Sequence, residues 1–384
     1  MKREKRRSLI LCAVMLVFCG LLCLLPNGHA NVTSGFPRVR ARIEAVDNSL
    51  LDAVGIAYNG AQTCQVTLLD GEHRGERYNA YNYLNSALDK DKLYAAGDTA
   101  WAMLQASAQG LTVTLVDHYR TATEGWILIV LAAALILYGG VTGCGALVSL
   151  AASAVIVWKL LIPLLLEGMN PMLASFATVV VLTLIIDVLV AGFTRQCLMA
   201  VLGSLSGTLV TCAAAVGLTC LLKLDGGDLP YVVPLLAQSS MGVDTRSLYI
   251  GMVFLANSGA LMDLSMDISV STVELHRHRP DLGSRALMRS GFVVGRSVLG
   301  TMTTTLMLAY SGNYLSMLMY FAGQGTPLSD VINLKYVSSQ LLNTLVGSFG
   351  LVVAAPLTAL IASLLCTRGR RVDAPCGEAP GTDG

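Results

Sequence analysis

Ionisable side chains inside the long apolar segments of this sequence include Asp187, Asp263, Asp267 and Arg296. A charge at membrane depth costs about 2.5 to 3.5 kcal/mol on insertion scales, so such a residue is expected to have a partner or a functional role. Asp263 and Asp267 are four residues apart and therefore share one face of a helix. Carboxylates in this pattern predict a site for a cation or a proton.

Arg296 is the natural partner for one of these acids. It lies on the apolar segment after the one that carries Asp267, and counting from the intervening polar loop places the two residues at similar depth. Two interpretations stay open. In the first, an Asp–Arg pair has no role beyond holding the two helices together. In the second, the surplus carboxylate, Asp263 or Asp267, binds a cation or a proton. Asp187 is isolated on another segment and is expected either to face a cavity or to hydrogen-bond a neighbouring helix.

Uncharged polar side chains on the same segments extend the candidate site. Asn257 lies deeper in the segment of the two aspartates, and Thr301 and Thr304 lie on the Arg296 side of theirs. Threonine hydroxyls can line a polar path or bond to carbonyls of their own helix. A further polar cluster, Ser338 to Thr344, begins the last apolar segment and is expected either to line a polar path or to mark entry from the interface.

The composition excludes a soluble globular enzyme. The chain is 54% hydrophobic and only 13% charged, with a mean hydropathy of +0.62, whereas soluble domains carry about 25% charged residues. The net charge is only +1, so the protein has no strong positive electrostatic field that would attract nucleic acid. The ten cysteines lie mostly in apolar runs without paired spacing, so we expect no zinc site, no structural disulfide and no cofactor.

Eight apolar runs are long enough to be spanning helices. They cover residues 8–25, 125–142, 144–166, 172–193, 197–222, 247–271, 288–311 and 338–366. Alternating crossings from a cytoplasmic start place most of the loop arginines inside, as the positive-inside rule requires. The predicted fold class is therefore an all-α polytopic membrane protein with about eight transmembrane helices, multi-pass in the cytoplasmic membrane, with both termini cytoplasmic.

Four regions follow from this topology. Residues 1–25 form a signal anchor or a cleaved signal peptide. Residues 26–123 lie outside as a small β-rich domain, because RVRARIEAV alternates, TVTLV is β-branched and Asp70-Gly71 marks a hairpin. Residues 124–366 form a seven-helix membrane domain, in which 312–323 could be an interfacial or re-entrant piece. Residues 367–384 are expected to be a disordered cytoplasmic tail.

Pairs of glycines four residues apart predict places where helix backbones approach closely. These pairs are Gly139 with Gly143, Gly203 with Gly207, and Gly291 with Gly295. Motifs of enzymatic chemistry are missing: the sequence has no GxxxxGK[ST], no HExxH and no GxSxG. The HxH at His276 and His278 lies in a basic loop and is expected to serve topology rather than metal binding. We therefore expect neither an enzyme nor a metal site.

Specific strings in the second half of the chain resemble those of the YibE/F family. These are SGALMDLSMDIS at 258–269, RSGFVVGRSVLGTMTTTLMLAYSGNYL at 289–315, INLKY at 332–336 and APLTAL at 355–360. The resemblance implies a bacterial multi-span inner-membrane protein, often encoded beside a related membrane protein, with no substrate assigned. The chain departs from the family pattern at Asp267, where a small residue is commoner, at Ser297, where an acid is usual, and at Thr304, where an asparagine is usual.

Two functional hypotheses follow. The first is a secondary transporter or permease, which could be an exporter, for an ion or a small polar solute, using the site around Asp263, Asp267 and Arg296. The second is a non-transporting assembly, sensor or docking component, in which the charges only hold helices together. Expected partners are the lipid bilayer and either a second related membrane protein or further copies of the chain, and no nucleic acid.

Overall fold

The computed structural model describes residues 2–24, 36–107, 110–238 and 242–368. The segment in which a signal peptidase would cut, and the predicted disordered tail beyond residue 368, lie outside these residues. Contacts divide the chain into two compact units, Gly28–Ala134 and Met1–Asn27 with Leu135–Gly384. The chain is mostly helical with a small N-terminal β region, as the composition and patterning predict.

Six strands form the β region. They are β1 Arg38–Asp47, β2 Leu51–Val54, β3 Ala57–Leu68, β4 Arg77–Asn85, β5 Thr99–Ser107 and β6 Gly110–His118. The strands predicted from RVRARIEAV and TVTLV are confirmed as β1 and β6, and the predicted Asp70-Gly71 turn joins β3 to β4. Alternation of apolar and polar residues places one face of each strand except β2 in a shared core.

The sheet closes into a barrel because β1 pairs with both β3 and β5. The order around the barrel is β1, β3, β4, β6, β5 and back to β1, and β4 and β6 run parallel while the other neighbours are antiparallel. Without the short β2, this is a five-stranded barrel of the OB type. A buried Gln62 ties the segment after β4 to the barrel, since its Nε2 donates to the Tyr94 carbonyl at 2.9 Å.

Ten helices complete the described chain. They are α1 Lys2–Leu24, α2 Thr121–Leu166, α3 Pro171–Ala191, α4 Arg195–Leu221, α5 Val232–Gln238, α6 Thr245–His278, α7 Ser284–Gly312, α8 Leu315–Gly323, α9 Leu328–Asn333 and α10 Lys335–Arg368. Six of them are long and apolar enough to cross a membrane, and α1 carries a shorter apolar stretch, Leu9–Leu24. All eight predicted apolar runs are helical, and 312–323 contains the short helix α8.

The second and third predicted runs fall in the single element α2. This element is 46 residues long and breaks at Gly140, whose φ of 55° and ψ of −124° are not helical. A side chain disfavours this region, so glycine suits the break. Just beyond it, Gly143 lies against the Leu135 carbonyl on the other side of the break. The structure therefore shows a broken helix where the sequence predicts two separate spans.

Glycines set the directions in which the long helices pack. Gly203 of α4 faces Thr358 of α10, and Gly207 lies four residues further along α4 against Ala354, so these helices are antiparallel. Gly291 and Gly295 of α7 face α10 in the same antiparallel sense. A Cβ at Gly291 would lie 2.8 Å from the Cβ of Ala359. These four predicted packing glycines lie at helix contacts, whereas Gly139 has no neighbour within 4 Å among the described atoms.

Candidate functional site

Asn257 lies where α6, α7 and α10 meet. Its side chain is 1% exposed, and its Nδ2 donates to the Val253 carbonyl at 2.7 Å and to the Asn343 carbonyl at 3.4 Å. Its Oδ1 accepts a hydrogen bond of 3.2 Å from the Tyr310 hydroxyl. Gly347 of α10 leaves the room that this amide occupies. The candidate asparagine thus joins three helices.

A cavity of about 340 Å³ lies beside Asn257, and we call it the tyrosine cavity. It is found where α6 and α10 begin and α7 ends. Three tyrosines, two asparagines, a glutamine and an aspartate supply its polar groups. Its lining residues are Asp228, Leu229, Pro230, Tyr249, Met252, Ala256, Tyr310, Asn313, Tyr336, Gln340 and Asn343.

Two oxygens of residues that line the tyrosine cavity have no hydrogen-bond partner among the described residues. Asp228 Oδ1 and Asn343 Oδ1 are both buried acceptors without a donor. The Tyr249 hydroxyl is already used, because it donates to the Ser339 carbonyl at 2.8 Å. An unsatisfied buried acceptor costs about 1 to 3 kcal/mol, so these oxygens call for a ligand that donates hydrogen bonds or carries positive charge.

The lining contains no lysine, arginine or histidine. A carboxylate, amide oxygens and aromatic rings around one space attract a cation, through charge and through the negative faces of the rings. The tyrosine cavity is therefore suited to a small cationic solute.

The loop that carries Asp228 is held by its neighbours. Gly226 has φ of 75° and lies against the Thr245 carbonyl at the start of α6. The Thr245 hydroxyl donates to the Asp225 carbonyl at 2.6 Å. Lys335 forms an ion pair with Asp225. The hydrogen bond that the Lys335 ammonium donates in this pair holds the pKa of Asp225 below its usual value. The first turns of α6 and α10 thus fix the Asp228 side of the cavity.

The three acidic candidates lie together, and we call Asp187, Asp263 and Asp267 the aspartate cluster. The parallel helices α3 and α6 bring Asp187 within electrostatic range of Asp263, which in turn interacts with Asp267. Asp187 is 1% exposed, and its Oδ2 has no hydrogen-bond partner. Thr183, one turn earlier on α3, also has an unpartnered buried hydroxyl.

Arg296 lies at the depth that the sequence predicts but is not paired with an aspartate. Ile268 of α6 lies against Gly295 of α7, at 3.3 Å from the position of an added Cβ, so the neighbouring Asp267 and Arg296 are at the same level. Both side chains are exposed. Within the described part of the chain, Arg296 forms no ion pair with Asp263 or Asp267. An Asp–Arg lock of the two helices is therefore not formed in this structure.

The two candidate threonines bond to their own helix. Thr301 Oγ1 donates to the Val298 carbonyl at 2.9 Å, and Thr304 Oγ1 donates to the Gly300 carbonyl at 3.1 Å. Both threonines are exposed. The structure thus gives these hydroxyls the local role that is common for threonine in a helix.

One face of α6 connects the tyrosine cavity to the aspartate cluster. Five residues that other helices leave uncovered follow one another at intervals of three or four along α6, and they are Met252, Ala256, Gly259, Asp263 and Asp267. The first two line the tyrosine cavity. The middle of this face, at Ala256 and Gly259, carries no polar side chain.

Sequence reasoning missed most of the tyrosine cavity. Asp228 lies in a loop, outside the apolar segments. Nothing in the sequence distinguishes Tyr249, Tyr310 and Tyr336 from other aromatic residues of membrane helices. The signal that was available is the polar cluster at the start of the last apolar run, from which Gln340 and Asn343 reach the cavity. Among the described residues, no group of three or more His, Cys, Asp or Glu side chains is arranged to hold a metal ion.

Comparison with known proteins identifies the family of the helical unit. A family model described as YibE/F-like protein matches residues 127–368, which is more than half of the chain and includes α3 to α10. No curated protein matches the chain, and no solved structure matches it. Together with the six membrane-length apolar helices, this match indicates a multi-pass membrane protein, and the chain belongs to the YibE/F-like family.

Proposed function

We propose that this chain is a secondary transporter or permease for a small cationic solute. The tyrosine cavity is the solute site, and the aspartate cluster is the site that couples transport to a proton or another cation. The observation that carries the proposal is the pair of unpartnered buried carboxylate oxygens, Asp228 Oδ1 and Asp187 Oδ2, one at each site along α6.

The tyrosine cavity supplies the selectivity. A solute with an ammonium or amine group would place its charge against Asp228 and the tyrosine rings, and would donate hydrogen bonds to the Asn343 amide oxygen. Among the described residues, no cationic side chain lines the cavity, and the nearby Lys335 is engaged by Asp225. An anionic solute would find no positive partner there.

The aspartate cluster supplies the coupling. Asp187 is buried within electrostatic range of Asp263, and a buried carboxylate in a medium of low dielectric constant needs a proton or a positive partner. In this proposal the cluster holds a proton in its resting state. Movement of solute along the α6 face would bring a second positive charge toward the cluster and favour release of the first.

The orientation follows from the predicted topology. Eight crossings, with α2 contributing two on either side of Gly140, place the β region and the mouth of the tyrosine cavity outside and the loop between α6 and α7 in the cytoplasm. That loop and the helix ends on either side of it carry Arg277, Arg279 and Arg285, as the positive-inside rule requires. The opposite packing directions of α7 and α10, and of α4 and α10, support this alternation.

Transport into proteoliposomes loaded with a pH dye tests the proposal. The probes are choline, tetramethylammonium, putrescine, sodium, potassium and magnesium, each applied as a gradient, with chloride as the common anion. We expect proton movement that needs one of the cations. Asp228→Asn should raise the half-saturating concentration of that cation by about tenfold or more, since it removes a charge from a partly desolvated site. Asp187→Asn should abolish proton movement.

Asp330→Asn is the matched control, because Asp330 is an exposed acid on α9 that belongs to neither site. It should transport as the unaltered chain does. Equal transport by the Asp187→Asn, Asp228→Asn and control variants would exclude both sites. No flux in any gradient, with folded protein, would instead favour the non-transporting alternative.

A further inference from the structure

The β barrel presents a row of exposed polar and aromatic side chains on the outer face of β3 and β4. Tyr81 and Tyr83 of β4 point outward and are 39% and 63% exposed. Their rings stack, with centroids 6.4 Å apart and an angle of 20° between the planes. Because alternate residues of a strand share a face, both rings are on the side of β4 away from the barrel core.

Hydrogen-bonding side chains extend this face across to β3. The register pairs Thr63 with Tyr81 and Gln65 with Asn79. We call Thr63, Gln65, Asn79, Tyr81 and Tyr83 the tyrosine–amide face. At its Asn79 end it meets a groove of about 270 Å³, which is also lined by Glu44, Arg77 and Tyr78.

The stacked tyrosines do not contribute to the barrel core. That core is built from the opposite faces of the strands, through residues such as Cys64, Val66 and Ala80. The two rings instead form an exposed pair of aromatic groups beside the amide donors and acceptors of Gln65 and Asn79. Such a surface suits a ligand that has both weakly polar faces and many hydroxyl or amide groups at its edges.

The charge of the β region indicates which of these ligands it favours. Between residues 36 and 120 there are eight basic and ten acidic side chains, so this region carries no positive field for a polyanion. The one arginine of the groove, Arg77, is paired with Glu44 at 3.3 Å. A nucleic acid or an acidic polymer is therefore disfavoured, and a neutral chain is favoured.

We propose that the tyrosine–amide face binds a neutral oligosaccharide. The sugar rings would lie on Tyr81 and Tyr83, and their hydroxyl groups would hydrogen-bond to Asn79 and Gln65. The closed barrel supports this assignment, because the second and third strands of an OB-type barrel form the sheet face that binds oligosaccharides and oligonucleotides. Here those strands are β3 and β4. The inference is independent of the proposed transport activity.

Binding to the full-length protein in detergent micelles tests the inference. The probes are neutral oligomers of N-acetylglucosamine, of β-linked glucose and of α-linked glucose, and single-stranded oligothymidine, each titrated by calorimetry. We expect one neutral oligosaccharide series to bind. Tyr81→Ala and Tyr83→Ala should each weaken that binding by about tenfold, since each removes one stacking contact. Tyr83→Phe should keep most of the affinity.

Tyr58→Ala is the matched control, because Tyr58 is an exposed tyrosine of the same barrel at the other end of β3. It should bind as the unaltered chain does, and the thermal unfolding midpoint of each variant shows that the barrel is intact. If no neutral oligosaccharide binds, or if Tyr81→Ala and Tyr83→Ala bind it as Tyr58→Ala does, the proposal is wrong. Binding of oligothymidine alone would also overturn it.

Discussion

The contact between Gly347 and Asn257 makes a sharp prediction about the packing of the candidate site. A Cβ at position 347 would overlap the Asn257 amide, so Gly347→Ala must push that amide out of the junction between α6, α7 and α10. Asn257→Ala removes the same amide directly. Each change alone should destabilise the helical unit, but together they should cost less than the sum.

The expected magnitudes follow from the contacts. Asn257→Ala loses the interhelical hydrogen bonds to Tyr310 and to the Asn343 carbonyl, and measured interhelical bonds of this kind average about 0.6 kcal/mol each, so the loss is about 1 to 2 kcal/mol. Gly347→Ala overpacks a filled space, which costs about 1 to 3 kcal/mol. In the double variant the added methyl group occupies the space of the missing amide. The coupling free energy should therefore be about 1 to 2 kcal/mol in the stabilising direction.

Unfolding by sodium dodecyl sulfate in mixed micelles, followed by circular dichroism, measures the free energy of unfolding for the four members of this cycle. Gly259→Ala is a matched control on α6, since nothing lies within 4 Å of an added Cβ there among the described atoms. Its only expected effect is the gain in helix propensity, which stabilises by about 0.5 to 1 kcal/mol. Strictly additive effects of Gly347→Ala and Asn257→Ala would refute the packing described here.

Three further predictions concern other parts of the molecule. Gly226→Ala should destabilise the loop that carries Asp228 by about 1 to 3 kcal/mol, because residue 226 has a positive φ and lies against the Thr245 carbonyl. The rate of hydrogen exchange in this loop measures the effect, and Gly242→Ala is the control. Equal exchange rates in the Gly226→Ala variant and the unaltered protein would contradict the prediction. Arg40 donates to Asp70 at 2.6 Å and holds the pKa of Asp70 below its usual value, so this pair stabilises the barrel above the unfolded-state pKa of about 3.9 and the stabilisation is lost as the pH falls through the lower native pKa. The protection of β1 amides, measured relative to the intrinsic exchange rate at each pH, should therefore fall over that acidic range. Arg40→Met should remove this dependence, and an unchanged pH profile of protection in the variant would exclude the pair as its cause. Burial raises the pKa of the Cys64 thiol to about 11, so iodoacetamide at pH 8 should label Cys64 only after unfolding. Mass spectrometry of the full-length chain measures the labelling. Rapid labelling of Cys64 in the native protein would contradict its burial.

The sequence determined the parts of this protein that rest on local patterns. Long apolar runs specify helices of membrane length, because a helix is the simplest way to satisfy every backbone hydrogen bond in hydrocarbon. The alternating residues of RVRARIEAV specify a strand for the same local reason. The glycine pairs of α4 and α7 were identified as packing positions from their spacing alone, since residues four apart share one helix face.

Tertiary structure decided which side chains meet. Asp187 and Asp263 are far apart in the sequence, and only the packing of α3 on α6 brings them into one cluster. An ion pair between Arg296 and an aspartate requires both the same depth in the membrane and side chains that point toward each other. Counting residues from the loop predicts the depth but not the direction of the side chains.

The tyrosine cavity and the closed barrel were likewise beyond the sequence. Asp228, Tyr310 and Asn343 come from a loop and two helices, so their convergence depends on contacts between residues many positions apart. The same holds for the barrel, because each strand is encoded locally but its closure requires β1 to pair with both β3 and β5. Local periodicity fixes the elements and the faces they bury, whereas the sites arise from the non-local packing of those faces.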